Sequence, residues 1–251
     1  MFKKRIIFVF LVGASMLQAQ MAGNPAGVRG EGKWTVSAIG TYMNQQVGNE
    51  LAISRRILLR STWGLTSYLD VFGMVGGIQL DLKTSNVNFV DYEGKFRLGY
   101  GAGFNVAFQR IAQSRFWIWI GGQALRYSSQ GSFFEESDIF MKEFKMDYDS
   151  REFLGYAGIV IPFKSFRLYG AGVGWAIQRL ESKTEYLEYG GMVNTIGQVD
   201  GEFRSGLWTG GVVGIEFILP QQYVIGLEGL FFNEENYQIM IGISQTGGQE
   251  W

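Results

Sequence analysis

The stretch Lys95–Gln109, KFRLGYGAGFNVAFQ, decides the fold. Its even positions, Phe96, Leu98, Tyr100, Ala102, Phe104, Val106 and Phe108, are apolar. Its odd positions, Lys95, Arg97, Gly99, Gly101, Gly103, Asn105, Ala107 and Gln109, are polar or small. Successive side chains of a β-strand point to opposite faces, so the segment has one greasy face and one glycine-rich face; a helix would scatter both sets around its axis. The pattern recurs. Ile57, Leu59 and Trp63 oppose Ser54, Arg56, Arg60 and Thr62. The odd positions from Phe203 to Leu219 oppose a set that includes Arg204, Gly210, Gly214 and Glu216. Tyr223, Ile225 and Leu227 oppose Val224, Gly226 and Glu228, and Tyr237, Ile239 and Ile241 oppose Gln238, Met240 and Gly242. By the same rule Phe72, Met74, Ile78, Leu80 and Leu82 form the greasy face of their segment, opposite Gly73, Val75, Gly77, Gln79 and Asp81. Tyr169, Ala171, Val173, Trp175 and Ile177 form that of theirs, opposite Gly170, Gly172 and Gly174. Residues 116–127 and 153–163 alternate less cleanly, as a β-bulge would produce.

Ten strands follow, near residues 33–46, 51–64, 68–83, 95–110, 115–130, 144–163, 166–181, 202–219, 222–232 and 235–245. Tight turns at 64–67, 111–114, 164–165 and 220–221 alternate with the longer polar connections 84–94, 131–143 and 182–201 and with the shorter 45–50 and 233–236. Short turns at one end and longer loops at the other are the layout of a membrane β-barrel.

Composition agrees. The 251 residues suit one domain if the chain is all-β. Glycine supplies 36 positions, proline three, and charged residues 18%. Cysteine and histidine are both absent, which excludes disulfides, thiolate nucleophiles, imidazole bases and Cys/His metal sites. A formal charge of −1 gives no global attraction to nucleic acid or to an anionic membrane surface. No cofactor and no metal is expected. Residues 1–19 read as a signal peptide: Lys3, Lys4 and Arg5, an apolar run from Ile6 to Val12, then small residues ending at Ala19. That run is too short to span a bilayer, and no later stretch reads as a membrane helix. Its removal leaves 19 basic and 23 acidic residues, a net charge of −4. Residues 20–32 read as a periplasmic segment and 33–251 as one barrel domain, with both termini periplasmic.

A soluble β-sandwich would also alternate. Three features favour lipid: large apolar residues on one face of nearly every strand, a glycine-and-charge face opposite, and strands longer than ten residues. Closure alone leaves no unpaired edge in hydrocarbon. Trp34, Trp63, Phe116, Tyr169, Tyr223, Phe231 and Tyr237 fall near strand ends, where an aromatic girdle belongs. The expectation is an all-β, membrane-spanning, antiparallel up-and-down barrel of about ten strands, within a range of 8–12.

The segment Trp63-Gly64-Leu65-Thr66-Ser67-Tyr68-Leu69-Asp70-Val71-Phe72-Gly73 resembles the periplasmic hairpin of small outer-membrane β-barrel proteins of Gram-negative-type bacteria. Asn24-Pro25-Ala26-Gly27 resembles a motif near the mature N-terminus of the fatty-acid transporter barrels, but the chain is too short for their fourteen strands and plug. The first resemblance implies location in the outer membrane, contact with its lipid and lipopolysaccharide, and insertion by the barrel-assembly machinery. That machinery reads a terminal aromatic residue; Trp251 is terminal, beyond six polar or small residues.

The inward set carries Arg56, Arg60, Lys95, Arg97 and Arg204, with Asp81, Glu216 and Glu228 as candidate partners. Buried charges must be paired or hydrated. They therefore form either an ion-paired plug or the lining of a narrow polar pore, biased towards anions by the arginines. The inner glycines leave volume for the pore. Enzymatic barrels depend on a histidine base, which is lacking here, and Glu135 and Glu136 are adjacent and point apart, so no enzyme is expected. Seven acidic residues between Phe133 and Glu152 read as a solvated loop. Three functions remain: a passive channel for small polar or anionic solutes, a closed structural or adhesive barrel whose loops bind partners or lipopolysaccharide, or carriage of a hydrophobic ligand through a lateral opening, which needs a gap or inward kink in the wall.

Overall fold

The computed structural model describes residues 31–47, 50–84, 92–108, 116–136, 141–190, 193–204, 208–232 and 236–247. The expected signal peptide, the Asn24–Gly27 motif and Trp251 lie outside them. The described strands are β1 (Trp34–Val47), β2 (Glu50–Gly64), β3 (Leu69–Thr84), β4 (Tyr92–Glu93), β5 (Arg97–Phe108), β6 (Trp117–Glu136), β7 (Met141–Pro162), β8 (Phe166–Gly190), β9 (Val193–Arg204), β10 (Trp208–Leu219), β11 (Tyr223–Phe231) and β12 (Tyr237–Gly247). All pairings are antiparallel, and ten strands close into a barrel. The seam joins β1 to β12, from Trp34 opposite Gly247 to Asn44 opposite Tyr237. β4 is a short addition to β3. β9 and β10 follow one another along the same edge of β8.

The short turns are locally determined. Leu65 N–H donates to the Leu69 carbonyl at 2.9 Å, and the Thr66 hydroxyl accepts from the Tyr68 and Leu69 amides at 3.2 and 3.1 Å. Phe163 and Phe166 stack at 4.4 Å across Lys164–Ser165. The irregularity expected within 153–163 is not on that strand: β7 alternates without a break from Ser150 to Tyr156, and the extra residue is Ala176 on β8, between Trp175 opposite Leu154 and Ile177 opposite Phe153.

At the other end the strands overshoot. Lipid needs about 9–11 residues per crossing, whereas β7 has 22 and β8 has 25. The stretches 131–143 and 182–201, expected as loops, are mostly strand: β6 pairs with β7 as far as Glu136 and Met141, and β8 with β9 as far as Gly190 and Val193. The backbone thus continues as a four-stranded sheet, β6–β9, beyond the rest of the wall. Of the acidic run between Phe133 and Glu152, Glu135, Glu136, Glu143, Asp147, Asp149 and Glu152 fall on β6 and β7, and Asp138 lies outside the described residues.

Outside, the wall is apolar. Leu59, Leu98 and Val213 are 57%, 66% and 59% exposed, and Ile57, Tyr100, Phe104, Ile120, Phe153, Phe217, Leu227 and Ile239 share that surface. So large an exposed apolar surface is incompatible with a monomer in water.

The inward face holds a surprise. On β3 the large set, Phe72, Met74, Ile78, Leu80 and Leu82, is buried in the bore, and on β8 Tyr169 and Val173 are buried while Leu168 is exposed and Gly170 and Gly172 lie on the outer face. Both assignments reverse the expectation. The cause is cross-strand fit. Phe72 lies opposite Gly103, Tyr156 opposite Gly121, Tyr169 opposite Gly214 and Tyr127 opposite Gly99. A methyl group at Gly103, Gly121 or Gly214 would strike the facing ring. The inner glycines therefore seat aromatic rings instead of leaving free volume. Gly121→Leu is expected to destabilise the barrel by about 1–3 kcal/mol in urea unfolding, as overpacking does. Gly174→Leu, where nothing stands within 4 Å, is expected to change little.

Candidate functional site

The bore is the site to which the sequence pointed. Arg56 is completely buried and forms a two-pronged pair with Glu152: Nη1 to Oε2 at 2.8 Å and Nη2 to Oε1 at 2.7 Å. Its Nε donates to the Ser54 hydroxyl at 2.9 Å, and its guanidinium stands 5.0 Å from the Tyr127 ring centroid. The Tyr127 hydroxyl donates to Glu152 Oε1 at 3.0 Å. β2 and β7 are four steps apart around the wall, so this pair crosses the bore.

A second layer surrounds Arg60, whose guanidinium sits 3.5 Å from the Phe72 ring centroid. The Asn105 amide lies between Arg60 and Tyr156: its oxygen accepts from Arg60 Nη2 at 3.1 Å and its nitrogen donates to the Tyr156 hydroxyl at 2.8 Å. A third layer pairs Arg167 Nη1 with Glu216 Oε2 at 3.6 Å and directs the Tyr169 hydroxyl to Glu228 Oε2 at 2.8 Å. Apolar side chains fill the intervals. Ile39, Leu58, Ile78, Leu125 and Met240 form one buried cluster, and Met43, Trp119, Leu154, Val212 and Leu230 another. At the long-strand end, beyond the apolar band, the Tyr92 ring meets Tyr148 edge-on at 4.9 Å; burial pushes the Tyr92 hydroxyl pKa up to about 12, so it stays protonated.

Four of the eight residues singled out from the sequence, Arg56, Arg60, Glu216 and Glu228, are buried side chains in this filling. Three are elsewhere. Asp81 alternates with the buried Leu80 and Leu82 and bonds Arg55 at 2.9 Å on the outer face, because β3 is turned the other way. Lys95 and Arg97 are exposed, with Arg97 bonding the Gln130 side chain, because β5 begins only at Arg97 and its first residues stand at the rim. The Arg204 backbone lies on β9 opposite Arg179, in the extension; its side chain is outside the described set. Conversely, Glu152, Arg167 and the tyrosines carry much of the bore's polar chemistry. Their signal was parity: Glu152 shares a face with Leu154 and Tyr156, and Arg167 with Tyr169. Among the described residues no three acidic side chains converge as a metal site.

A closed antiparallel barrel with an apolar exterior and an inner filling of ion pairs and rings is the fold of outer-membrane β-barrels. The chain is similar to the translocator domain of the autotransporter NalP from Neisseria meningitidis, with a TM-score of 0.52 at 11% identity over 86% of this chain and 88% of that one. Weaker likenesses reach the outer membrane protease OmpT from Escherichia coli (TM-score 0.39, 10% identity, 90% and 97% covered) and the Pseudomonas putida toluene transporter TodX (0.42, 10%, 87% and 67%). No protein-family model matches the sequence, and a comparison with curated protein sequences returns no match.

Proposed function

We propose that this chain is a non-catalytic barrel of the outer membrane with a closed bore, working through its surface and its strand extension rather than by passage of solute. The observation that carries this is the Arg56–Glu152 pair, closed across the bore at 2.7–2.8 Å with both side chains almost wholly buried. A water-filled channel would leave inward side chains wet, whereas Ile78, Trp119 and Val160 have no exposed surface. The reading includes export through residues 1–19, both termini in the periplasm, and insertion by the barrel-assembly machinery. The sheet beyond the wall would present a partner with backbone to pair with, since β9 is joined to β8 and to no other described strand.

Planar-bilayer recording tests the reading. The wild-type barrel is expected to be silent, and the double variant Arg56→Ala/Glu152→Ala, which removes the brace, to leak. Discrete wild-type openings that the same substitutions abolish would establish the channel for small polar or anionic solutes instead.

A further inference from the structure

Over the start of β5 the wall is finished by a strap. β5 pairs with β3 only as far as Arg97 opposite Ile78, and with β6 only as far as Gly99 opposite Tyr127. Above those points the residues Tyr92–Lys95 stand in its place. Tyr92 and Glu93 pair with Leu82 and Asp81 on β3. The Gly94 amide donates to the Leu80 carbonyl at 3.1 Å, and the Lys95 amide crosses to the Gln130 carbonyl on β6 at 2.9 Å. One side chain anchors the strap. Tyr92 is buried in the mouth of the bore, where its hydroxyl shares a hydrogen bond with that of Ser129 at 3.0 Å and its ring stands edge-on to Tyr148. Glu93 and Lys95 are exposed. Two glycines make room: a methyl group at Gly131 would strike the Tyr92 ring, and one at Gly94 the Ser129 hydroxyl.

What lies beneath gives the strap its role. From the mouth inward along β7, the buried Tyr148 is followed by the buried Ser150 and then by Glu152. Tyr92 therefore roofs the Arg56–Glu152 brace from roughly 13 Å of strand above it. An element held by one ring and a few hydrogen bonds opens locally well before the long ladders of the wall do. We propose that Tyr92–Lys95 is a releasable latch: shut, it seals the long-strand mouth over the brace; undone, it admits water to Ser150 while the brace still closes the bore. This rests on the closed-bore reading above and adds a second, outer closure to it.

The test uses the full chain folded in phosphatidylcholine vesicles, with Ser150→Cys as reporter at a position with no exposed surface. Labelling by a charged thiosulfonate is timed by mass spectrometry, and heat-dependent gel mobility reports folding. Labelling is expected to be slow with Tyr92 in place. It is expected to quicken roughly fivefold in Tyr92→Phe, which gives up one hydrogen bond. In Tyr92→Ala, which gives up the ring as well, the gain is expected to be on the order of a hundredfold. Bilayer recording supplies the second arm. Tyr92→Ala alone is expected to stay silent. The leak of Arg56→Ala/Glu152→Ala is expected to come in bursts, and to become continuous when Tyr92→Ala is added. Equal labelling of Ser150→Cys with and without the Tyr92 ring, a current through Tyr92→Ala alone, or a brace-variant leak that Tyr92→Ala leaves unchanged would overturn the latch. If Tyr92→Ala does not fold, hydrogen exchange on the wild type decides. The Gly94 and Lys95 amides are expected to exchange together and well ahead of the β2–β3 ladder, and protection equal to that ladder's would overturn the latch. A silent wild type with a failed latch loses this inference alone; a conducting wild type loses the closed bore and the latch with it.

Discussion

Glu152→Ala is expected to destabilise the folded barrel by about 3–5 kcal/mol, because it strands the Arg56 guanidinium in a site with no exposed surface. The pair itself need not be strongly stabilising: moving two charges out of water offsets most of their attraction. The asymmetry is therefore the diagnostic. Arg56→Met/Glu152→Leu, which removes both charges and roughly keeps volume, is expected to recover most of the loss, while either single substitution does not. Urea unfolding in detergent, followed by tryptophan fluorescence, measures all three. If Glu152→Ala cost less than about 1 kcal/mol, water would have to reach Arg56, and the bore would be open.

Leu59→Arg is the second large effect. Leu59 is the middle of the outward residues Trp63, Ser61, Leu59, Ile57 and Arg55 on β2, and it is 57% exposed. On a surface in water such a substitution stays within about 0.5 kcal/mol. At the centre of a bilayer an outward arginine costs a barrel about 2–4 kcal/mol. The chain folded in phosphatidylcholine vesicles is expected to show the larger figure, and Arg55→Leu, at the edge of the band, only a small change.

These effects fall where the sequence was legible and where it was not. Period-two alternation in Lys95–Gln109 gave the strand, its two faces and, with the pattern of short and long connections, the ten-strand closure. Alternation cannot say which face turns inward, and assigning the greasy face to lipid works only while the bore is polar. This bore is also packed, so β3 and β8 invert: Phe72 rests over Gly103 and Tyr169 over Gly214. A charge on the greasy parity would have exposed the inversion on β8, since Arg167 shares a face with Tyr169 and meets Glu216. On β3 the clue was the polar run Gln79, Asp81, Lys83, which marks the outer face above the apolar band. Glu152 was hidden because its neighbours read as a solvated loop, whereas they extend β7 well past the bilayer. Long-range partners such as Arg56 and Glu152, 96 positions apart, need the barrel's register to be seen.

The chain contains no cysteine, so each introduced thiol is a clean probe. Thr41→Cys, at a position with no exposed surface in the bore, and Leu59→Cys, on the outer wall, can be compared in bilayers with a charged thiosulfonate and a membrane-partitioning maleimide. A dry, braced bore inside a lipid-facing wall predicts that Thr41→Cys reacts with neither reagent and Leu59→Cys with the lipophilic one only. Modification of Thr41→Cys by the charged reagent would mean an open aqueous path, and modification of Leu59→Cys by it would put the outer wall in water.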